Sequence, residues 1–412
     1  MTFLERGERP ADRATFAELD GAARRVAGHL VARGLAGKPV LLAFEPGLDF
    51  IRCFLGCLYA GAIAVPLPGV GQRRARARTA AIVADVGDAA ILTGGEGAAQ
   101  DAATDAGGRG LARIAAADAL AAPALAETTA AGRDDPAFIQ YTSGSTSRPK
   151  GIVVTHGNIM ANLAMIAAAF AEDGRTIGVG WLPHSHDMGL IGCILHPLHV
   201  GASCYLMSPL AFLQKPVRWL RAIDRYRGTV SGAPNFGYEL CVRHIRPQDL
   251  GGVDLSCWRL AGCGAEPVRL ATMERFAALM APHGFSDTAL YPCYGLAEAT
   301  LFATGGTAGT GVRTRILARG RAAPGSPLCR AGGHGAARAA SCATPRRRAR
   351  RRWTASARSA SLARTSAPAP GRARPAPSCP TRRSWCASAA RPSCARVISG
   401  RWSRARRLSS AG

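Results

Sequence analysis

The distribution of charge divides this 412-residue chain at Gly311 and limits the part that can form a core. The last 102 residues, 311–412, contain 24 arginines and no lysine, aspartate or glutamate. Arginines without carboxylates to pair with, among few large apolar side chains, do not favour a packed interior. The sequence therefore predicts a folded region over 1–310, followed by an unstructured arginine-rich segment over 311–412.

Two interpretations of the arginine-rich segment are open. The segment lacks Phe, Tyr, Asn, Gln and Met and consists mainly of amino acids with GC-rich codons. A GC-rich gene read out of frame gives this composition, so one interpretation is a frameshift between about residues 305 and 330. The other is a genuine basic arm, which would bind nucleic acid or an anionic surface through counterion release.

Residues 1–310 have the composition of a balanced globular protein. Removing the 24 arginines of the segment from the 52 basic residues leaves 28, against 27 acidic residues. This length exceeds what one core usually organises, which indicates two subdomains. The N-terminus shows no signal peptide, and the most apolar run, 53–68, is too short to span a bilayer, so we expect no transmembrane segment and a cytoplasmic protein. Eight cysteines precede residue 311 without a CxxC pair, which is typical of reduced core thiols.

Strand and helix patterns alternate along the folded region, which predicts an α/β fold with mostly parallel sheets. Thr15 and Glu18 form a capping-box pattern that starts a first helix, which Gly34 ends. Residues 94–135 read as a weak helix or a surface linker. Further strands are expected at 40–44, 63–65, 89–93, 137–141, 152–154, 178–182, 202–206, 229–231, 259–262 and 289–291, and helices at 48–60, 72–86, 156–170, 216–226, 236–244 and 268–280.

The sharpest motif is YTSGSTSRPKG at 141–151, directly after a predicted strand. Hydroxyl residues interleaved with glycine can direct N–H and O–H groups at phosphate oxygens, and Lys150 adds a positive charge. Lysine occurs elsewhere only at Lys38 and Lys215, so its use at this position looks specific. A Ser/Thr/Gly-rich surface turn is the simpler alternative. The motif is not a Walker loop, because GxxxxGK[ST] is absent.

This motif resembles the phosphate loop of adenylate-forming enzymes, and further segments in the same order are similar to fatty acyl-AMP ligases. The resemblance implies an N-terminal adenylation region of two α/β subdomains over 1–310, incomplete in this chain. It also implies ATP and Mg²⁺ as the nucleotide and metal. The segments are LDFIRCFLGCLYAGAIAVPLP at 48–68, GWLPHSHDMGLIG at 180–192, GAPNFGYELCVR at 232–243, WRLAGCGAEPVR at 258–269 and YPCYGLAEATLFATGG at 291–306.

The resemblance assigns roles to individual residues. Tyr294 and Gly295 would contact adenine, and Glu298 would hold Mg²⁺ together with Thr146. His186 and Asp187 would sit where the acyl tunnel meets the reacting carboxylate, close to Lys150 as a further catalytic group. The adenine pocket would be lined by Gly264, Ala265 and Glu266, and the β- and γ-phosphates would be held by Thr142, Ser143, Gly144, Ser145, Thr146 and Lys150.

Simpler structural roles compete with some of these assignments. Glu298 could be an exposed carboxylate, Tyr294 a core aromatic and His186 a loop-capping residue. The GAPNF segment at 232–236 is interpreted as a wall of the acyl tunnel, although a strand-to-helix turn would look alike. Spacing disfavours a structural zinc site and favours polar lining of a pocket for His184, His186, Cys193, His196 and His199.

The resemblance implies ATP-dependent activation of a long-chain fatty acid for transfer to an acyl carrier protein of a polyketide or peptide synthetase. The family continues with an aspartate that binds ribose and a C-terminal domain that carries a catalytic lysine. The arginine-rich segment contains neither residue type, so we expect little or no ligase activity from the chain as written. The alternatives are an acyl-CoA ligase and a non-catalytic nucleotide- or nucleic-acid-binding protein with a functional basic tail. We expect no specific nucleic acid partner for the ligase.

Overall fold

The computed structural model describes residues 1–68, 73–94, 111–142, 149–315 and 328–329, all within one compact unit. The side chains of 73–76, 315 and 328–329 are not described. The predictions for the segment beyond these ranges lie outside the described residues. The strands are β1 Thr2–Glu5, β2 Arg9–Arg13, β3 Pro39–Ala43, β4 Ile63–Pro66, β5 Ala90–Thr93, β6 Ala112–Ala115, β7 Pro136–Thr142, β8 Lys150–Thr155, β9 Ile177–Gly180, β10 Ser203–Met207, β11 Val230–Ala233, β12 Leu260–Cys263, β13 Leu290–Gly295, β14 Phe302–Gly305, β15 Thr314–Arg315 and β16 Leu328–Cys329.

Helices connect most of the parallel strands. Local sequence explains several helix ends: Thr15 and Glu18 form the expected capping box, and Thr155 and Asn158 form a second one. The segment Met188–Leu195 is π-helical, a rare conformation that is frequent at functional sites. The α-helices are α1 Phe16–Ala32, α2 Leu48–Ala60, α3 Arg73–Val86, α4 Ala116–Ala121, α5 His156–Phe170, α6 His196–Val200, α7 Pro209–Gln214, α8 Val217–Arg225, α9 Asn235–His244 and α10 Leu270–Met280.

Two mostly parallel sheets organise the described part of the chain. The first contains six strands in the order β6-β5-β3-β4-β7-β8, and only the β7–β8 pair is antiparallel. The second contains eight strands in the order β14-β13-β12-β11-β9-β10-β1-β2, with antiparallel pairs at both edges. The predicted α/β class with mostly parallel sheets is therefore confirmed.

The hydrophobic core explains why each sheet is covered by helices. Helix α2 packs on the six-stranded sheet and α1 packs on α2. Leu19 and Val26 of α1 and Phe54 of α2 are fully buried in the same core. The eight-stranded sheet packs against an aromatic core that includes Trp219 and Trp258, whose ring centroids are 5.2 Å apart. Among the described residues, none of the eight cysteines before residue 311 forms a disulfide, as the absence of CxxC pairs indicated.

The structure corrects two sequence predictions. Residues 94–135 contain strand β6 and helix α4; β6 extends the six-stranded sheet beside β5, and its Ile114 is buried. Strands β1 and β2 were missed: β1 pairs with β10, whose residues lie about 200 positions away, as in the register Thr2 with Tyr205. None of the described helices combines the length and apolar character needed to cross a membrane.

Candidate active site

A cavity of about 400 Å³ opens at the carboxyl ends of several strands of the eight-stranded sheet. Ligands of open α/β sheets bind outside the carboxyl ends of the strands, so its place is typical of a binding site. Its mouth is polar and its interior largely apolar. The mouth includes Thr142, His186, Asp187, Gly264, Ala265, Tyr294 and Glu298, and the interior includes Ile166, Phe170, Val230, Leu260, Leu301 and Phe302.

The ends of the proposed phosphate loop lie at this mouth. Thr142 ends β7 and is paired in register with Lys150, which begins β8, so the antiparallel pair closes the loop between them. Nζ of Lys150 lies 3.5 Å from Oε1 of Glu298. The predicted phosphate ligands within the loop, Ser143, Gly144, Ser145 and Thr146, lie outside the described residues.

Glu298 and Tyr294 lie on consecutive elements at the cavity mouth. Tyr294 is part of β13, and its side chain is 57 % exposed, so it is not a core aromatic. Glu298 lies in the short 3₁₀ turn Ala297–Ala299. The buried amide of Asn162 holds this turn: its Nδ2 donates to the carbonyl of Ala299 at 3.1 Å. The structure thus brings Lys150, Tyr294 and Glu298 to one surface.

Gly264, Ala265 and Gly295 also line the cavity. Ala265 has φ +66°, a left-handed conformation that is uncommon outside glycine and is concentrated at functional sites. A Cβ on Gly295 would clash with the carbonyl oxygen of Leu301, so only glycine fits there. Glu266 is not among the described residues that line the cavity. Its carboxylate instead accepts a 2.6 Å hydrogen bond from the backbone N–H of Phe236 in the first turn of α9.

His186 and Asp187 form a pair at the cavity wall. Nδ1 of His186 lies 2.6 Å from Oδ1 of Asp187, which also accepts a hydrogen bond from the backbone N–H of Met188 at 2.7 Å. Gln140 on β7 fixes this loop by donating to the carbonyl of Ser185 at 2.7 Å. Asp187 therefore begins the π-helical segment, and His186 remains exposed at the mouth.

The predicted histidine and cysteine cluster does not form one centre. His186, Cys193 and His196 line the cavity, whereas His184 packs elsewhere, with its ring stacked on Phe50 at 3.9 Å. Burial lowers the pKa of His184 to about 4 and raises the pKa of the Cys193 thiol to about 12. Cys193 therefore stays protonated near neutral pH and is not a nucleophile. Of the GAPNF segment, only Gly232 lines the cavity among the described residues.

Sequence reasoning missed the deep end of the cavity. Glu172, Thr176 and Cys204 line it there together with His196. These residues come from separate elements and share no local motif. The signal in the sequence is the cluster of polar residues around His196, which indicates polar lining of a pocket.

The sequence model of the family described as AMP-binding enzyme matches residues 3–329. The chain belongs to the AMP-binding enzyme family. Several relatives of this AMP-binding enzyme have narrower descriptions. It is 40 % identical over 324 residues to the medium-chain-fatty-acid--[acyl-carrier-protein] ligase JamA of Moorena producens, with 77 % of this chain and 54 % of the relative covered. It is 37 % identical to a 4-hydroxyphenylalkanoate adenylyltransferase of Mycobacterium marinum, with 68 % of this chain and 46 % of the relative covered.

Solved structures agree with this assignment. The fatty acyl-adenylate ligase of L. pneumophila in complex with acyl adenylate and pyrophosphate matches with a TM-score of 0.69 and 42 % identity, covering 76 % of this chain and 55 % of that one. The resemblance to fatty acyl-AMP ligases is therefore confirmed. The chain spans about half the length of the curated relative JamA.

Proposed function

We propose that the protein derives from a fatty acyl-AMP ligase and that residues 1–310 form an incomplete adenylation domain of two α/β subdomains. In the reaction, a carboxylate oxygen of the fatty acid attacks the α-phosphorus of ATP. The bond between the α-phosphorus and the bridging oxygen breaks, and pyrophosphate leaves with both electrons of that bond. The product is an acyl adenylate.

One observation carries this proposal: a single cavity joins a polar mouth to an apolar interior. Thr142, Tyr294 and Glu298 line the mouth, and apolar side chains such as Ile166 and Leu260 line the interior. A nucleotide needs donors and an aromatic face, whereas an acyl chain needs a dry apolar pocket. A fatty acid and a nucleotide bound in this one cavity would have the carboxylate next to the phosphate, as the reaction requires.

Different residues at the mouth are assigned to the adenine and to the phosphates of ATP. Tyr294 offers its exposed ring face to adenine, beside Gly295, Gly264 and Ala265. Glu266 supports this pocket by capping α9. The β- and γ-phosphates are assigned to Lys150 and to the loop residues Thr142, Ser143, Gly144, Ser145 and Thr146. Lys150 compensates phosphate charge that would otherwise repel the attacking carboxylate.

The residues present fit a magnesium ion. Glu298 presents an exposed carboxylate at the cavity mouth, and carboxylate oxygens are preferred Mg²⁺ ligands. We assign Mg²⁺ to Glu298 and Thr146. The ion, when bound, withdraws charge from the phosphate oxygens. Lys150 lies 3.5 Å from Glu298. When ATP and Mg²⁺ bind, Lys150 would turn to the phosphates and Glu298 to the metal ion.

His186 and Asp187 are assigned to the junction between the acyl channel and the reacting carboxylate. Asp187 accepts the backbone N–H of Met188 and lies 2.6 Å from His186, so the imidazole is held in one orientation. Its exposed edge lines the cavity and can hydrogen-bond the carboxylate of the substrate or an oxygen of the α-phosphate. This contact would orient the nucleophile without taking part in bond breaking.

The acyl acceptor is proposed to be an acyl carrier protein of a polyketide or peptide synthetase. Relatives described as medium-chain-fatty-acid--[acyl-carrier-protein] ligases support this acceptor. Medium- to long-chain fatty acids are the proposed substrates, because the relatives include both descriptions. Another relative is described as a 4-hydroxyphenylalkanoate adenylyltransferase, so the proposed substrates include acids that carry a further functional group.

Binding of a dodecanoyl-sulfamoyladenosine, a non-hydrolysable mimic of the acyl adenylate, tests the proposal by titration calorimetry on the full chain. Binding is expected without catalysis. Tyr294→Ala should weaken it by about 10-fold, since base–aromatic stacking contributes on that order. Tyr294→Phe is the matched control and should bind like the parent protein. A folded parent chain that does not bind the mimic, or Ala and Phe variants that bind equally, would contradict the proposal.

A further inference from the structure

A buried acid–base pair lies at the deep end of the cavity, away from Tyr294. Nε2 of His196 lies 2.7 Å from Oε2 of Glu172, and the two side chains are 3 % and 4 % exposed. Glu172 follows α5, and His196 begins α6. Both residues line the cavity. The proposed chemistry at the mouth uses neither of them.

The hydrogen bonding of this pair is incomplete. Oε1 of Glu172 and Nδ1 of His196 are buried and have no partner among the residues that the structure describes. Buried polar atoms without a partner are destabilising, so nearly all of them are paired with protein, ligand or ordered water. A hydroxyl group suits either atom: its O–H can donate to Oε1 of Glu172, or to Nδ1 of His196, which is an acceptor in the tautomer whose Nε2–H donates to Glu172.

The pair lies at the end of the cavity opposite the nucleotide. Strands β9, β11, β12 and β13 are parallel, so their amino ends share one edge of the sheet. Leu260 at the amino end of β12 and Gly264 just beyond its carboxyl end both line the cavity. Leu260 and Gly264 are four positions apart, which corresponds to about 13 Å along a strand. Glu172 and Thr176 precede β9 and therefore belong to the amino edge.

The space between the two ends is lined mainly by apolar side chains. Glycines on the strands and on the π-helical segment line this space and add no side chain to it. A Cβ added at Gly192, for example, would have only Leu301 within 4 Å, at 3.7 Å. The walls include Ile166, Phe170, Leu260 and Phe302. A run of methylene groups or an aromatic ring fits this lining, whereas a polar group along the way would lose its hydration without replacement.

We propose that the carboxylic acid bound here carries a hydroxyl group at the end remote from its carboxylate, and that the Glu172–His196 pair accepts a hydrogen bond from this hydroxyl. The proposal rests on the proposed function, because it assumes that the acyl chain enters the cavity. An acid that ends in a methyl group would exclude water from the pair and leave Oε1 and Nδ1 unsatisfied. Both ω-hydroxyalkanoates and hydroxyphenylalkanoates have the required chemistry.

Matched pairs of acyl-sulfamoyladenosines test the proposal on the full chain by titration calorimetry. One pair is dodecanoyl and ω-hydroxydodecanoyl; the other is phenylalkanoyl and 4-hydroxyphenylalkanoyl of equal chain length. The hydroxylated member of at least one pair should bind about 10-fold more tightly, since sites built for a hydroxyl discriminate against ligands that lack it. The pair with the larger gain identifies the aliphatic or aromatic class.

Variants separate recognition from folding. In the double variant Glu172→Leu with His196→Leu the preference should reverse, because the hydroxyl would then be buried without partners. Asp173→Asn is the matched control: Asp173 is adjacent in sequence, exposed and outside the cavity lining, and this variant should keep the preference. Equal affinity within both pairs for the parent protein would overturn the inference and leave the proposed function standing. Failure of all four ligands to bind would instead overturn the proposed function.

Discussion

At the scale of single residues, His184 shows how burial sets the pH range of stability. Its ring stacks on Phe50, and desolvation lowers its pKa to about 4. The unfolded chain takes up a proton near the ordinary pKa, whereas the folded chain does so only near pH 4, so acid favours unfolding between these values.

We therefore expect the free energy of unfolding to fall by roughly 2 kcal/mol through His184 between about pH 7 and about pH 5. His184→Phe keeps an aromatic ring against Phe50 and removes the titrating group. Urea denaturation at both pH values should show a smaller loss for this variant. Burial also lowers the pKa of His156 to about 4. His156 is unchanged in this variant, so its own contribution to the loss of stability in acid should remain. An identical pH dependence in parent and variant would exclude His184 as a source of it.

At the scale of elements, α1 and α2 pack too closely for a side chain at Gly56. A Cβ added there would overlap Cγ1 of Val26 and lie 2.5 Å from its Cβ. Gly56→Ala should lower the free energy of unfolding by about 1–3 kcal/mol, because overpacking forces the helices apart. In the double variant with Val26→Ala the loss should be smaller than the sum of the two single losses, as urea denaturation of all four proteins would measure.

Gly21 provides the control for this prediction. It lies in α1, and a Cβ there would meet only Nη1 of Arg25, at 3.7 Å. Gly21→Ala should therefore stabilise the protein by about 1 kcal/mol through helix propensity. The same Gly→Ala change would then lower the free energy of unfolding in one helix and raise it in the other, although the two helices contact each other. A neutral or stabilising Gly56→Ala would contradict the described packing of α1 and α2.

Elements with local signals were predicted well, and elements defined by distant partners were not. Helices α2 and α5 have the predicted bounds, because their apolar faces and their flanking residues identify them locally. Strands β1 and β6 are short edge or near-edge elements whose pairing depends on other strands, and no periodicity reveals them. The same contrast holds within the site. Within each motif at the cavity mouth the functional residues lie a few positions apart in sequence, whereas Glu172 and His196 are 24 positions apart and share no motif.

At the scale of the whole molecule, the family match ends close to the point where the arginine-rich composition begins. The match to AMP-binding enzymes extends to residue 329, and the arginine-rich composition begins at Gly311. A frameshift between about residues 305 and 330 accounts for both observations. A functional basic arm would account for the charge, but not for the absence of Phe, Tyr, Asn, Gln and Met.

The coding DNA around residues 300–335 provides the test. We expect one of the other two forward frames to continue the family match and to encode aspartate and lysine, which residues 311–412 lack. Protein from the restored frame should release pyrophosphate from ATP and a fatty acid at least about 100-fold faster than the present chain, since one positioned group at a developing charge contributes on that order. The control is the chain truncated after residue 310, which should match the present chain in the same assay. If neither alternative frame encodes a related continuation, the frameshift is excluded. Salt-sensitive binding of a preferred nucleic acid that disappears on truncation would then favour a functional arm.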